Sequence, residues 1–159
     1  MLLGQGVVVI DRDRSRVYAA EDQWSAVLDR GGVVNFFGSQ IQVAAQLRFA
    51  DIATVQRYVD HVLELPDLQN FDPAPVRIRE RKGGTRAHYS DGVIAVPIHK
   101  VWSGRESVVL HELAHHLSWR TDTTHGPVFR SAMMALVRAA QSAESGLILM
   151  AAYEEALRG

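Results

Sequence analysis

An α+β fold is what the sequence predicts, on two observations: residues 73–97 alternate and turn like a small sheet, and the chain beyond Pro97 carries helical spacing. With 159 residues and no repeat, low-complexity stretch or long linker, the chain fits a single domain spanning 1–159. From the N-terminal side, Val17, Ala20, Trp24, Val27 and Leu28 recur at helical spacing over 15–30, and Gly31-Gly32 stops them. Residues 33–43 hold two short β-like runs around Gly38. Asp51 then opens a helix whose stripe is Ile52, Val55, Tyr58, Val59, Val62 and Leu63, closed by Pro66.

Val76, Ile78 and Glu80 alternate with Arg77, Arg79 and Arg81, which lines one strand face with arginine. Turn signals at Gly83-Gly84 and Asp91-Gly92, and the run Val93-Ile94-Ala95-Val96, complete an expected three-stranded antiparallel meander. Ser103 or Ser107 is the expected cap of a helix reaching Trp119; Pro127 suits the first turn of another, to about Ala140, and a third is expected over 142–157.

Composition narrows the function classes. The absence of cysteine excludes disulfides, thiolate metal sites and cysteine nucleophiles, and fits a reducing compartment. A net charge of -1 gives no global reason to expect nucleic acid or an anionic membrane as partner. The apolar opening MLLGQGVVVI lacks a basic start and runs straight into Asp11-Arg12-Asp13-Arg14, so it reads as a strand or ordered tail rather than a signal peptide. No apolar run approaches the ~18 residues of a membrane span, and a cytoplasmic location is the expectation.

The chemistry lies in VVLHELAHHLSW, residues 108–119. His111 and His115 are one helical turn apart, about 40° around the axis, so both imidazoles share a face and can share one tetrahedral zinc ion. Glu112 sits beside that ion without ligating it; as general base it accepts a proton from metal-activated water and passes it to a leaving amine. Val108, Val109, Leu110, Leu113, Ala114 and Leu117 surround the polar trio, and burying two histidines and a glutamate without a purpose is costly. The competing reading is two satisfied core histidines and a surface glutamate.

A catalytic zinc ion takes three protein ligands and leaves one position open. His125 is the first candidate for the third: residues 120–124 are polar enough to turn the chain back, Gly126 permits close approach, Pro127 starts the next helix, and Phe129 can pack beneath the site. Glu144 is the competing ligand, with Glu154 and Glu155 further off. His116 points about 100° away from His115 and is expected outside the metal shell.

The stretch HELAHHLSWRTDTTHGPVF, His111 to Phe129, resembles the H-E-x-x-H…H-G-x-x-F signature of SprT-like zinc metallopeptidases. More widely, the chain is similar to an actinobacterial and phage-associated family of small metallohydrolases, from Arg14–Glu21 through Val93–Pro97 to the metal motif. The resemblance implies a zincin-like domain, with a small antiparallel sheet packed on the H-E-x-x-H helix, further N- and C-terminal helices, and peptide along an edge strand. It implies His111, His115 and His125 as zinc ligands, Glu112 as base, and a peptide or protein as substrate. SprT-like proteins often carry a cysteine-based zinc ribbon that helps place them on DNA; this chain has no cysteine, so a DNA-directed role does not transfer.

Three functional expectations follow: a zinc peptidase, a zinc-containing binding or regulatory module with a structural or vestigial site, and a zinc hydrolase of a non-peptide amide. The intact Glu112 speaks against the second. Arg77, Arg79, Arg81, Lys82 and Arg86 form a basic cluster, read first as a solvated strand face and otherwise as a holder of acidic peptide, carboxylate or phosphate. Tyr89 and His88 are candidates for an oxyanion donor, with packing as the alternative for Tyr89; Trp24, Trp102 and Trp119 are read as core or rim.

Overall fold

The computed structural model describes residues 9–158. Of the apolar opening segment only Val9 and Ile10 fall among these, exposed and in no strand, so the strand or tail expected there lies largely outside the described residues.

The fold is α+β. Helix α1 (Arg14–Arg30) buries Val17, Ala20, Trp24 and Leu28. It ends where Gly31 takes φ +64; a Cβ there would also stand 3.0 Å from the Ala45 backbone nitrogen, so both conformation and space call for glycine. Strands β1 (Gly32–Phe36) and β2 (Ser39–Val43) form an antiparallel hairpin whose turn residue Phe37 is 86% exposed with φ +48. Helix α2 (Ile52–Leu63) is capped as expected, Asp51 accepting from the Thr54 backbone N–H at 2.8 Å, and it buries Val55, Val59, Val62 and Leu63. Pro66 lies past its end and opens a short 3-10 turn.

The second sheet corrects the expected meander. Strands β3 (Arg77–Glu80), β4 (His88–Ser90) and β5 (Val93–Val96) are ordered β3-β5-β4; β4 pairs antiparallel with β5, but β3 pairs parallel to it. The Asp91-Gly92 turn does form, with positive φ at both residues. The Gly83-Gly84 segment is part of a crossover that carries the chain past the end of β5. The cause is burial: Ile94, Ala95 and Val96 are all buried, which suits a central strand and not an edge. Arg77 and Arg79 stay exposed on either side of buried Ile78, as the alternation predicts, whereas Arg81 lies beyond the strand.

Helix α3 (Glu106–Ser118) carries the metal motif, followed by α4 (Pro127–Ala140) and α5 (Ala143–Leu157). Pro127 and the Ser142 cap of α5 stand where expected. The cap of α3 does not: its N-cap is Arg105, without a side-chain bond. Ser103 lies in a preceding 3-10 turn and Ser107 inside the helix. The orphan amides are met from the segment after the hairpin instead, Glu106 N donating to Leu47 O at 2.9 Å and Ser107 N to Gln46 Oε1 at 2.9 Å. Buried Glu106 returns the contact, accepting from Leu47 N, Gln141 Nε2 and the Tyr58 hydroxyl.

One hydrophobic cluster runs through all five helices and both sheets, with α1 packed along α5 and α3 against α4. No helix among the described residues is long and apolar enough to cross a membrane. Trp24 joins α1 to α5: it is fully buried, and its indole N–H donates to Ser145 Oγ at 3.0 Å. Trp24→Ala is expected to cost about 3–5 kcal/mol through the cavity and the lost donor, read as a lowered urea midpoint with an unchanged slope.

Candidate metal centre

The long apolar surround of α3 drives it into the core, with Val109, Leu110, Leu113 and Ala114 at no exposure, and this fixes the direction of the polar residues between them. His111 and Glu112 are buried and His115 half-buried. After α3 the polar loop folds on itself through Thr124 N to Asp122 Oδ1 at 2.8 Å and Gly126 N to Thr124 Oγ1 at 3.1 Å. Gly126 is needed for space, since a Cβ would stand 3.0 Å from Asp122 Oδ2. The loop delivers His125 to the other two histidines.

His125 Nε2 lies 3.1 Å from His115 Nε2 and 3.2 Å from His111 Nε2, and one ligand atom from each of the three residues falls within 4.8 Å of the others. Nitrogens at tetrahedral positions about 2.0–2.1 Å from a zinc-sized ion would be about 3.3 Å apart. The opposite ring edges decide the protonation. His111 Nδ1 donates to Glu21 Oε1 at 2.7 Å, and His125 Nδ1 donates to Asp11 Oδ2 at 2.6 Å. A carboxylate accepts, so Nδ1 carries the proton in both rings, and whenever a ring is neutral its Nε2 lone pair turns inward. Facing lone pairs at this distance repel unless a cation lies among them. The three histidines are therefore close enough, and correctly oriented, to bind a metal ion. The arrangement of carboxylate, histidine and ion is the usual way that metal-ligating rings are oriented.

Each partner is itself held. Asp11 also accepts from the His125 backbone N–H at 3.1 Å. Glu21 accepts from the Tyr153 hydroxyl at 2.8 Å, so α1, α3 and α5 meet at one carboxylate. Phe129 forms the floor, its ring centroid 4.9, 4.6 and 4.8 Å from those of His111, His115 and His125, as the sequence suggested. Tyr18 forms the roof, stacked on His111 at 5.0 Å and tilted over His125 at 5.2 Å.

The electrostatics follow this packing. Burial and the neighbouring His111, His125 and His88 push the His115 pKa down to about 3, which keeps its ring neutral and free to ligate. Burial lowers His125 as well, against the pull of Asp11. For His111 burial also works downward, but Glu21 and Glu112 outweigh it and the net shift is upward. Burial pushes the Glu112 carboxyl up, opposed by His111 and by the bond it accepts from the Tyr89 backbone N–H. The Tyr18 phenol is raised, mainly by burial and next by Glu112.

Of the sequence candidates, His111, His115, His125 and Glu112 come together. Glu144, Glu154 and Glu155 do not: all three are exposed on α5, and Glu144 is no part of the histidine cluster. His116 stays outside as predicted, Nδ1 at 2.9 Å from the Tyr89 hydroxyl and Nε2 at 2.7 Å from Ala74 O. That contact overturns Tyr89 as oxyanion donor, since its hydroxyl lies between His116 and the Gly92 N–H it accepts at 3.0 Å. Exposed His88 and half-exposed Trp119 border the cleft over the cluster, while Trp102 is bound to Thr85 O at its rim. Sequence reasoning missed Asp11, Tyr18 and Glu21. One signal was present: position 21 falls within the apolar stripe of α1, between Ala20 and Trp24, where a carboxylate needs a buried partner.

No protein-family model, curated protein or solved structure matches the chain. The functional reading therefore rests on the site.

Glu21→Gln keeps the size of the side chain and removes the charge that orients His111. It is expected to weaken binding of a divalent transition metal by about 10–100-fold, measured by competition with a chromophoric chelator; an unchanged affinity would show that Glu21 serves packing alone.

Proposed function

We propose that this chain is a zinc-dependent metallopeptidase with a zincin-like architecture, hydrolysing a peptide bond with Glu112 as general base. The observation that carries the reading is that one cleft of about 570 Å³ is lined by Glu112, His115 and His125 together, while His111 completes the nitrogen triangle behind it. Three imidazole nitrogens favour a borderline ion such as zinc over the harder cations, which prefer oxygen. A three-ligand shell leaves a position free for chemistry, and among the described residues the histidine cluster contains no fourth side chain. The signature His111 to Phe129, similar to that of SprT-like metallopeptidases, supports the same assignment.

When bound, the ion would acidify a water molecule and polarise the carbonyl to be attacked. Glu112 receives the proton that leaves this water as its oxygen bonds to the carbonyl carbon. It then delivers that proton to the amide nitrogen as the C–N bond breaks. Burial raises its carboxyl, the direction that makes the group a better proton acceptor. Tyr18 replaces Tyr89 as candidate oxyanion donor: it lines the same cleft and its phenol is held protonated.

Glu112→Gln should retain the metal and lose turnover by about 10²–10⁴-fold. Cleavage of a proteome-derived peptide library, run beside metal analysis on both proteins, reads this directly. A variant that cuts as fast as the parent would remove Glu112 from the reaction.

A further inference from the structure

Three guanidinium groups border the cleft over the histidine cluster, and among the described residues none of them is paired with a carboxylate. Arg14 comes from the first turn of α1, Arg81 from the end of β3, and Arg86 from the crossover before β4; all three line the space shared by Glu112, His115 and His125. The arginine ion pairs among the described residues lie elsewhere, Arg48 and Arg105 with Asp29 and Arg130 with Asp13. The carboxylates near the cleft are engaged: Asp11 holds His125, Glu21 holds His111, and Glu112 faces the reaction.

The three cations are also positioned. Arg14 and Arg86 both lie over the Tyr18 ring, their Cζ atoms 5.8 and 5.0 Å from its centroid. Arg81 donates through Nη1 to Arg86 O and packs so closely on Gly84 that a Cβ there would stand 2.8 Å from its Cζ. Held on a ring and a turn, these groups lose less freedom on binding a ligand than solvated arginines would. The three arginines offset the charges of Asp11, Glu21 and Glu112 at this site, so a divalent ion would leave a local surplus of positive charge in a chain whose net charge is -1.

We propose that Arg14, Arg81 and Arg86 select a substrate bearing a carboxylate beside the bond to be cut. The inference rests on the metallopeptidase reading and names its substrate class. Guanidinium matches a carboxylate with paired N–H donors, and that match is strongest where one partner is already fixed. The carboxylate has two sources in a peptide, the free C-terminus and an Asp or Glu side chain. Phosphate would suit the same donors, but the net charge of -1 and the carboxylates of Asp11 and Glu112 in the same cleft favour a peptide over a polyanionic nucleic acid.

The test uses metal-loaded Glu112→Gln protein, so that binding is read without turnover, and pools of fluorescent peptides of randomised neutral sequence. One pool is amidated, one has a free C-terminus, and one is amidated with a single internal Glu. Anisotropy is expected to show one carboxylate pool binding about tenfold tighter than the neutral amidated pool, and which pool wins identifies the source. Arg14→Gln with Arg86→Gln should remove most of that preference, and Arg86→Lys alone should retain part of it. Equal binding of the three pools, or a preference that survives replacement of all three arginines by Gln, overturns the proposal. So does tight binding of a single-stranded oligonucleotide through these arginines without discrimination among the peptides. A carboxylate preference in a protein that cuts nothing would refute the peptidase reading and leave the anion site standing; cutting without preference would do the reverse.

Discussion

The contact between Glu21 and His111 governs the rest of the site. It joins helices 90 residues apart in sequence, with both side chains buried, and Tyr153 adds a third helix to the same carboxylate. A buried carboxylate is tolerated only when its charge is met, so α1 cannot slide or rotate against α3 without stranding it. The same constraint sets the His111 ring and sends its remaining lone pair toward His115 and His125. Asp11 does this for His125, from the segment just before α1. The first helix and the segment just before it, remote from the motif, orient two of the three rings.

The second requirement is a firm start to α3. Its leading amides are met by Gln46 and Leu47, and Glu106 receives donors from three other parts of the chain. A helix start placed by side chains at fixed distances leaves little freedom at His111, about a turn further on. Phe129 below and Tyr18 above close the remaining directions, so ring positions follow from packing and carboxylate bonds together.

Local structure was readable where chemistry is local. Asp51, Pro127 and Ser142 mark helix starts because a cap or a missing N–H acts within a few residues. The spacing of His111 and His115 predicts a shared face for the same reason, and the Gly126-Pro127 pair announced the return of His125. What escaped was long-range. The parallel pairing of β3 depends on which strand the core buries most deeply, and a turn signal at Gly83-Gly84 does not carry that information. Of the two readings offered for Tyr89, packing fits its burial and the bonds of its hydroxyl to His116 and Gly92, a pairing that sequence spacing does not show. Asp11 and Glu21 look like ordinary charges on an N-terminal helix until the fold brings histidines to them; only the place of Glu21 within an apolar stripe hinted otherwise.

The separation of Asp11 from His125 by 114 residues has a consequence for how the protein comes into being. Contacts that close so large a loop form late, because chain entropy must be overcome before they contribute. On the ribosome, the donor triangle cannot exist until its last histidine has emerged and found a carboxylate synthesised 114 residues before it. An ion captured at that stage binds the native arrangement and not its precursors, so it draws the folding equilibrium toward completion. Completion of the fold and capture of an ion at these histidines would thus be thermodynamically linked.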